Sequence, residues 1–400
     1  MKNVEFKMKN EKLIVKMKKN LLIVAGLAAG WMLAACSSDD KTDTVLDEPY
    51  DSLANIEQII DGCIDIASEV GNAKIGDPYD LYTSGKTVEA LYAVESWFSW
   101  HSRDDYSNNI LSIRNAYFGS TSGSAVGLSL SALVQKDNTA LDTEVKQAID
   151  AAYKAIQAIP QPFRSNINSS EARAAMSACD DLEQTLSKLK TYFQQHKTLS
   201  DGMVDPVIKT YVEGVVLPTY SNLKSLNAAL YQTVSKLQKD PSDANFQSAA
   251  NAWLAARQPW ETSEAFLFGP VDSEGLDPNM DSWPLDVDAI VNILNSGNYD
   301  DLNWADGDSD DAVEAAQSVR GFHTLEFLLF KNGKPRTTHD GNATSGYDID
   351  YTEANAASWL NYAVQVAGLL QKDAADLDGY WSTDYKQRGS YASIFLSHDF

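Results

Sequence analysis

The sequence predicts an all-α protein made of helical bundles, and three observations support this fold class. Apolar residues recur at steps of three and four along several long segments, as on the buried face of a helix. No segment combines sustained two-residue alternation with hairpin turns, as the strands of a sheet would require. Hydrophobic residues make up 44% of the 400 residues, which is enough for a large core and for two domains.

Eight segments carry the helical periodicity, and polar loops connect them. They are residues 56–70, 87–100, 145–159, 171–193, 207–237, 246–257, 311–330 and 354–377. Pro218 interrupts the fifth segment and predicts a kink, because proline lacks the N–H that a helix interior needs. The polar stretch 195–201 predicts the boundary between two helical domains, residues 51–200 and 201–400.

The first 36 residues predict an export signal. Lysines at positions 16, 18 and 19 precede an apolar run over residues 21–33, which falls short of the ~20 residues that span a bilayer. The run leads into Leu-Ala-Ala-Cys, ending at Cys36, which resembles the lipobox of bacterial lipoproteins, where the cysteine carries the lipid. We expect a leader over 1–35, a tether over 36–50, and anchoring in the cell envelope at the outer membrane. An ordinary signal peptide with a chance cysteine is the alternative.

The chain is strongly acidic, with 56 acidic and 32 basic residues and a formal net charge of −24. Nucleic acid demands a basic surface, so this charge argues against nucleic-acid binding and favours cations. Three cysteines are too few for a disulfide framework or a thiolate zinc cluster. Apart from Cys36, we expect Cys63 and Cys179 to be buried as small hydrophobic residues.

His323 and Glu326 lie three residues apart in the apolar segment 321–330, so both project from one helical face. Burying an imidazole and a carboxylate without a partner costs free energy, and a divalent or trivalent metal ion is one such partner. A His–Glu pair that satisfies itself inside a helical core is the other interpretation.

Further acids lie among aromatic residues and prolines between residues 251 and 286, which is unusual for a solvated helix face. The candidate site residues in this region are Arg257, Glu261, Glu264, Asp281, Trp283 and Asp286. Carboxylate oxygens together with one imidazole form a hard ligand set that suits iron, zinc or manganese. Helix capping and loop hydrogen bonding are the alternative roles for each acid taken alone.

Three strings in this half of the chain resemble motifs of the imelysin family. They are Gly-x-His-x-x-Glu at 321–326, Arg-x-Pro-Trp-x-x-Ser-Glu at 257–264 and Trp-Pro-Leu-Asp at 283–286. The resemblance implies a secreted or lipid-anchored bacterial protein tied to iron uptake, from a family once classed as metallopeptidases. It also implies two similar four-helix bundles with the site between them. The metal ligands that it implies are His323, Glu326, Glu264 and Asp281.

A second set of motifs comes earlier in the chain, although most family members carry it in their second half. Residues 69–75 and 95–105 resemble these strings. The residues expected on the opposite wall of the site are Glu69, Lys74, Glu95, Ser99 and Asp105. The order resembles a circularly permuted branch of the family, and permutation requires that the original chain ends lie close together. We therefore expect residues 390–400 to lie near the start of the segment 56–70.

The leading functional hypothesis is a non-enzymatic protein that binds iron or a similar hard cation, or its chelate, beside iron-transport components of the envelope. Arg257 would orient an acid or bind an anionic chelator. A metallopeptidase with Glu326 as general base is one alternative, although the chain lacks a His-Glu-x-x-His motif. A haem or peptide receptor is the other alternative, and its stacking surfaces would be Trp97, Trp260 and Trp283.

Overall fold

Helices dominate the part of the chain that the structure, a computed structural model, describes: residues 51–196, 198–339 and 349–400. The expected leader, Cys36 and the tether lie outside the described residues. All described residues belong to one compact unit. The prediction of an all-α fold is confirmed, since strands in these ranges are limited to the two-residue pair β1 (Phe330–Lys331) and β2 (Lys334–Pro335).

The α-helices up to residue 196 are α1 (Leu53–Ser68), α2 (Asp77–Thr83), α3 (Thr87–Ala93), α4 (Ser102–Phe118), α5 (Leu130–Asp137), α6 (Thr139–Ala158) and α7 (Ser170–Gln195). A π-helical segment, Glu69–Gly76, continues α1, and a 3₁₀ turn covers Phe163–Ser165.

The α-helices after residue 198 are α8 (Asp201–Tyr211), α9 (Leu217–Lys239), α10 (Asp243–Glu261), α11 (Pro270–Ser273), α12 (Leu276–Asp281), α13 (Val287–Ser296), α14 (Asp310–Gln317), α15 (Gly321–Leu329), α16 (Ala356–Ser382) and α17 (Tyr391–Leu396). A second π segment, Val212–Val216, joins α8 to α9 immediately before Pro218. The helix is thus interrupted where proline predicts it, and the 3₁₀ turns here are Glu264–Phe266 and Asp300–Leu302.

The longest helices pack in two groups within the described unit. In one group α7 packs against α1 and α6, and α4 lies against α6. In the other group α9 packs against α10 and α16, and α15 lies against α16. Contacts of α4 with α10, and of α1 with the turn Glu264–Phe266, join the groups. Two bundle-like groups follow the expected layout, while a domain boundary near residue 200 stays a prediction.

Two of the predicted helices are wrong in part. The predicted helix over 87–100 ends at Ala93, and a tight loop follows it. The predicted helix over 311–330 is broken between α14 and α15. In both places the apolar side chains are buried, as Trp97 and Phe98 are. Their spacing therefore indicates which side chains are buried, but it does not require one continuous helix. The helix α4 was not predicted, because polar residues such as Ser107 and Asn109 occupy its buried face.

The two ends of the described chain meet. Asn55 Nδ2 donates a hydrogen bond of 2.6 Å to the backbone oxygen of Phe395, and His398 Nδ1 lies 2.6 Å from Asn55 Oδ1. The expected contact between residues 390–400 and the start of the first helix is therefore confirmed. The permuted order itself stays a prediction.

Cys63 and Cys179 are both buried and free, as predicted. Burial raises the pKa of each thiol, which keeps both protonated and unreactive at neutral pH. Within the described ranges, no helix combines the length and the apolarity that a membrane crossing requires.

Candidate metal-binding site

Three ligand-type side chains from three separate parts of the chain converge on one point. His323 Nε2 lies 3.1 Å from Glu95 Oε1 and 3.2 Å from Asp281 Oδ1. The three side chains are 0%, 9% and 5% exposed, in that order. We call Glu95, Asp281 and His323 the triad, and their ligand atoms all lie within 4.8 Å of one another.

The other ring nitrogen of His323 is held by a second carboxylate. His323 Nδ1 donates to Glu326 Oε2 at 3.1 Å. Glu326 Oε1 accepts hydrogen bonds from the backbone N–H and the hydroxyl of Ser99, at 2.8 and 2.7 Å. The ring of Trp283 packs edge-on against the imidazole, with 4.9 Å between ring centroids. These contacts fix the ring so that Nε2 points at the triad carboxylates.

Arg257 lies beside the triad and is 1% exposed. Its Nη1 forms an ion pair with Asp281 Oδ1, and its Nη2 lies 3.3 Å from Glu95 Oε1. Nη2 also lies 2.5 Å from Glu261 Oε1, and Nε lies 3.6 Å from Asp105 Oδ2. One guanidinium therefore neutralises carboxylates on both sides of the site.

A chain of alternating charges connects the triad to the surface. Lys74 Nζ lies 3.2 Å from Glu95 Oε2 and 3.5 Å from Glu69 Oε1. The exposed fraction rises from 9% for Glu95 and 8% for Lys74 to 50% for Glu69. Glu69 and Lys74 both belong to the π segment Glu69–Gly76, and such π bulges are common at functional sites. Glu69 is the exposed end of this chain of charges, and we call the segment Glu69–Gly76 the rim.

A second group of acids lies next to the triad and shares Asp281 with it. Glu261, Glu264 and Asp281 present oxygens within 4.8 Å of one another. Asn109 Nδ2 donates to Glu261 Oε2 at 2.6 Å, and Trp260 Nε1 donates to Asp281 Oδ2 at 2.7 Å. These donors orient the acids without neutralising their charge.

Several acids in and around the cluster have raised pKa values, so they bind protons more readily than the same groups in water. Burial raises the pKa of Glu261 to about 8 and that of Asp105 to about 7, although Arg257 opposes both shifts. Asp277 lies four residues before Asp281 on α12, and burial together with the carboxylate of Asp281 raises its pKa to about 7. Burial raises the pKa of Glu264 well above its ordinary value. The cluster contains more carboxyl groups than its buried cations can neutralise, so protons supply the missing positive charge.

The two triad carboxylates stay ionised. Burial opposes this, but Lys74 and the hydrogen bond with His323 lower the pKa of Glu95 to about 2. Arg257 and His323 likewise hold the pKa of Asp281 well below its ordinary value. Burial and Arg257 disfavour the protonation of His323, yet hydrogen bonds to the surrounding carboxylates raise its pKa well above the ordinary value. His323 Nε2 is therefore protonated in the metal-free protein, and it must lose this proton before its lone pair can bind a metal ion.

The spacing of the triad fits a metal ion. Ligand atoms ~2.1 Å from an octahedral ion lie ~3.0 Å from each other. The separations of 3.1 and 3.2 Å from His323 Nε2 to the two carboxylate oxygens match that spacing. One imidazole and two or more carboxylates form a hard ligand set, so the residues present fit iron, manganese or zinc.

Two local features of the chain bring the triad together. The loop after α3 contains left-handed conformations at Ser96 and Trp100, with φ of 51° and 60°, and Glu95 in this loop contacts His323 of α15. At the start of α15, Gly321 has φ +85°, and a Cβ placed there would lie 2.5 Å from the backbone oxygen of Met280. Only glycine permits this approach, which sets Asp281 beside His323.

The structure brings most of the predicted site residues together but distributes them differently from the expected ligand set. Glu95, expected on the opposite wall, shares the Nε2 side of His323 with Asp281. Glu326, expected as a ligand, faces Nδ1, and Glu264 lies in the second acidic group. The remaining predicted residues in contact with this cluster are Arg257, Glu261, Trp283, Glu69, Lys74, Ser99 and Asp105.

Some predicted roles are corrected. Asp286 is exposed, its Oδ1 caps α13 by accepting from Ala289 N–H at 3.0 Å, and no contact among the described residues joins it to the cluster. Trp97 and Trp260 are 1% and 0% exposed, so they are core residues and offer no stacking surface. Arg257 is buried among acids and offers no surface to an anionic chelator.

Two supporting residues escaped the sequence analysis. Ser96 Oγ donates to Asp105 Oδ2 at 2.5 Å, and Asn109 reaches Glu261 from the next turn of α4. Asp105 and Asn109 are four residues apart, which places them on one helical face. This spacing is the sequence pattern that could have predicted a role for Asn109 in the site.

The fold and the cluster define a class of all-α proteins with a buried histidine–carboxylate site. The model of the imelysin family (Peptidase_M75) matches residues 24–189 and 216–398, and the chain belongs to this family. The solved structure of an imelysin peptidase from Bacteroides ovatus is 58% identical, with a TM-score of 0.71, over 72% of this chain and 82% of that chain.

Two further similarities are partial. Iron-regulated protein A of Synechococcus elongatus is 32% identical over 133 residues, so the chain spans about a third of the length of this curated relative. A solved structure of an iron-regulated protein A precursor from Parabacteroides distasonis is 34% identical over 48% of this chain and 49% of that chain, with a TM-score of 0.41.

Proposed function

We propose that this protein binds iron, or an iron chelate, as a non-catalytic component of iron uptake at the bacterial cell envelope. The observation that carries the proposal is the triad. His323 Nε2 lies 3.1 and 3.2 Å from oxygens of Glu95 and Asp281, and all three ligand atoms lie within 4.8 Å of one another in a buried cluster with a surplus of carboxyl groups.

The choice of iron rests on ligand chemistry and on one relative. Hard oxygen donors with one imidazole suit iron in either common oxidation state, and soft thiolate ligands are absent from the described cluster. The relative from Synechococcus elongatus is named as iron-regulated, and the similarity to it covers a third of the chain. The overall charge of −24 raises the local concentration of cations near the rim at Glu69.

Binding without catalysis is supported by the contacts of Glu326. A metallopeptidase needs a general base with a free oxygen and an open metal position for water. Both carboxylate oxygens of Glu326 already accept hydrogen bonds, from His323 and twice from Ser99.

The envelope location rests on the leader sequence alone. A lipid on Cys36 would tether the helical unit to a membrane through residues 37–50, where it can pass metal to a transport partner. A Cys36→Ser variant should lose lipid labelling and leave the membrane fraction, whereas persistence of both would contradict the anchor.

The experiment that tests the function is metal analysis of the purified protein after loading with Fe²⁺ under argon. We expect one or more equivalents in the parent protein and a loss of at least one equivalent in His323→Ala and in Glu95→Gln. The matched control is His196→Ala, which changes a histidine in ion-pair contact with Asp137 outside the cluster. Equal iron content in all variants would contradict the proposal, and casein digestion that disappears in Glu326→Gln would replace it with the peptidase alternative.

A further inference from the structure

We propose that Arg257 is an internal counter-ion that takes the place of the metal in the metal-free protein and must withdraw from the triad when a metal ion binds. This inference rests on the proposed function, because it concerns how the same site regulates its own occupancy.

The contacts of the guanidinium carry the inference. Arg257 Nη1 pairs with Asp281 Oδ1, and Nη2 lies 3.3 Å from Glu95 Oε1 and 3.4 Å from His323 Nε2. These are the same three atoms that form the triad. One positive group therefore contacts every ligand atom that a metal ion would use, and a cation among those atoms would lie against it.

A second set of contacts gives the guanidinium a position to which it can withdraw. Arg257 Nη2 lies 2.5 Å from Glu261 Oε1, one helical turn along α10, and Nε lies 3.6 Å from Asp105 Oδ2. Neither Glu261 nor Asp105 belongs to the triad. The ring of Phe322 lies 5.3 Å from the guanidinium carbon and supports it from one side. A small rotation of the side chain keeps these contacts while it releases Asp281 and Glu95.

This arrangement has a functional consequence. Lys74 and the protonated His323 are shared with Glu69 and Glu326, so without Arg257 the carboxylates of Glu95 and Asp281 would be incompletely neutralised, which would destabilise the buried, metal-free site. Arg257 removes that penalty, and in return every metal ion must displace an existing ion pair. Affinity is thereby reduced to a level that allows release, which a carrier needs and a permanent structural site does not.

A titration with Zn²⁺, a redox-inert probe, tests the inference by calorimetry. A third described group, Asp201, Asp205 and His398, lies outside the cluster and could also hold a cation, so all proteins carry His398→Ala. Arg257→Gln is expected to bind Zn²⁺ at the triad at least about tenfold more tightly, because the repelling charge is gone. Arg257→Lys keeps the charge and should show no such gain.

A second variant protects the test against misfolding. Arg257→Gln combined with Asp105→Asn also removes the acid that Arg257 Nε faces and leaves the triad intact, and the same gain in affinity is expected. Weaker or unchanged Zn²⁺ binding in both folded Arg257→Gln proteins would overturn the inference, and weaker binding would show instead that Arg257 orients the ligands.

The failure of this inference and the failure of the proposed function are distinguishable. Addition of His323→Ala should abolish triad binding. If that addition leaves Zn²⁺ binding unchanged, the triad is no metal site, and both proposals fall. If it abolishes binding while Arg257→Gln brings no gain, only the role of Arg257 is contradicted. A crystal structure with Zn²⁺ should retain the contact of Arg257 with Glu261 and lose its contact with Asp281.

Discussion

Ser99 donates two hydrogen bonds to the same oxygen of Glu326, from its backbone N–H at 2.8 Å and from its hydroxyl at 2.7 Å. The two residues are 227 positions apart in the chain. Glu326 in turn accepts a hydrogen bond from His323 Nδ1, so this contact fixes the orientation of the imidazole. The loop after α3 and the helix α15 together therefore determine the direction of His323 Nε2.

The first prediction concerns the hydroxyl of Ser99. Ser99→Ala should lower the free energy of unfolding by about 1 kcal/mol, because one buried hydrogen bond is lost and the backbone N–H remains. It should also weaken Zn²⁺ binding by about tenfold, since Glu326 holds the imidazole less firmly. Thermal unfolding and calorimetric titration measure the two effects.

Ser131→Ala is the matched control for this variant. Ser131 is also a buried serine that donates to a carboxylate, Asp142, at 2.8 Å, but it lies outside the cluster. It should lose similar stability and keep full Zn²⁺ affinity. A similar loss of affinity in both variants would contradict the orienting role of Ser99.

The second prediction concerns the close approach at Gly321. Gly321→Ala should destabilise the protein by about 3 kcal/mol, because it combines a left-handed residue with a Cβ that meets the backbone oxygen of Met280 at 2.5 Å. The displaced α12 should carry Asp281 away from His323 and abolish metal binding. Chemical denaturation and metal analysis check the two effects.

Gly297→Ala separates the two causes. Gly297 has φ +65°, and a Cβ there would meet nothing within 4 Å, so only the backbone strain of about 1 kcal/mol applies. We expect this variant to bind metal normally. Equal destabilisation of the two variants would show that the approach to Met280 is not the constraint.

The third prediction concerns pH. In the metal-free protein, burial raises the pKa of Asp105 to about 7 and of Glu261 to about 8, and hydrogen bonds raise that of His323. The folded state thus keeps protons that the unfolded state has already released, so folding takes up protons. The stabilisation is complete below the ordinary pKa values and is lost as the pH rises through the raised values.

The melting temperature of the metal-free protein should therefore fall by at least about 3 °C between pH 5 and pH 9. Glu261→Gln should flatten this slope, and Glu213→Gln, which changes an exposed glutamate, should leave it unchanged. Metal binding at pH 7 should release protons, detectable as a buffer-dependent enthalpy. A melting temperature that rises over this range would contradict the assigned protonation.

The fourth prediction concerns access. Glu69→Gln should slow Zn²⁺ association by several-fold at low ionic strength and leave the dissociation constant nearly unchanged, because a half-exposed carboxylate on the rim attracts cations. Stopped-flow fluorescence of Trp283, which packs on His323, provides the signal. Glu213→Gln is again the control, since Glu213 is 59% exposed and lies in the other π segment. Equal association rates would exclude the rim as the route.

The sequence predicted the long helices and most members of the site, because apolar periodicity and the Gly-x-His-x-x-Glu string are local patterns. The ligand assignment was harder. Glu95, a triad member, lies in a loop with left-handed conformations at Ser96 and Trp100, which the apolar pattern of residues 87–100 does not reveal. Glu326 leaves the triad because Ser99 and His323 engage it, and both contacts depend on packing between distant segments.

The most direct test of the central claim is an anomalous-difference map from crystals loaded with Zn²⁺ or iron and measured on either side of the metal absorption edge. We expect a peak bound by His323 Nε2 and by carboxylate oxygens of Glu95 and Asp281. A peak confined to Asp201, Asp205 and His398, or no peak from a protein shown to be loaded, would contradict it.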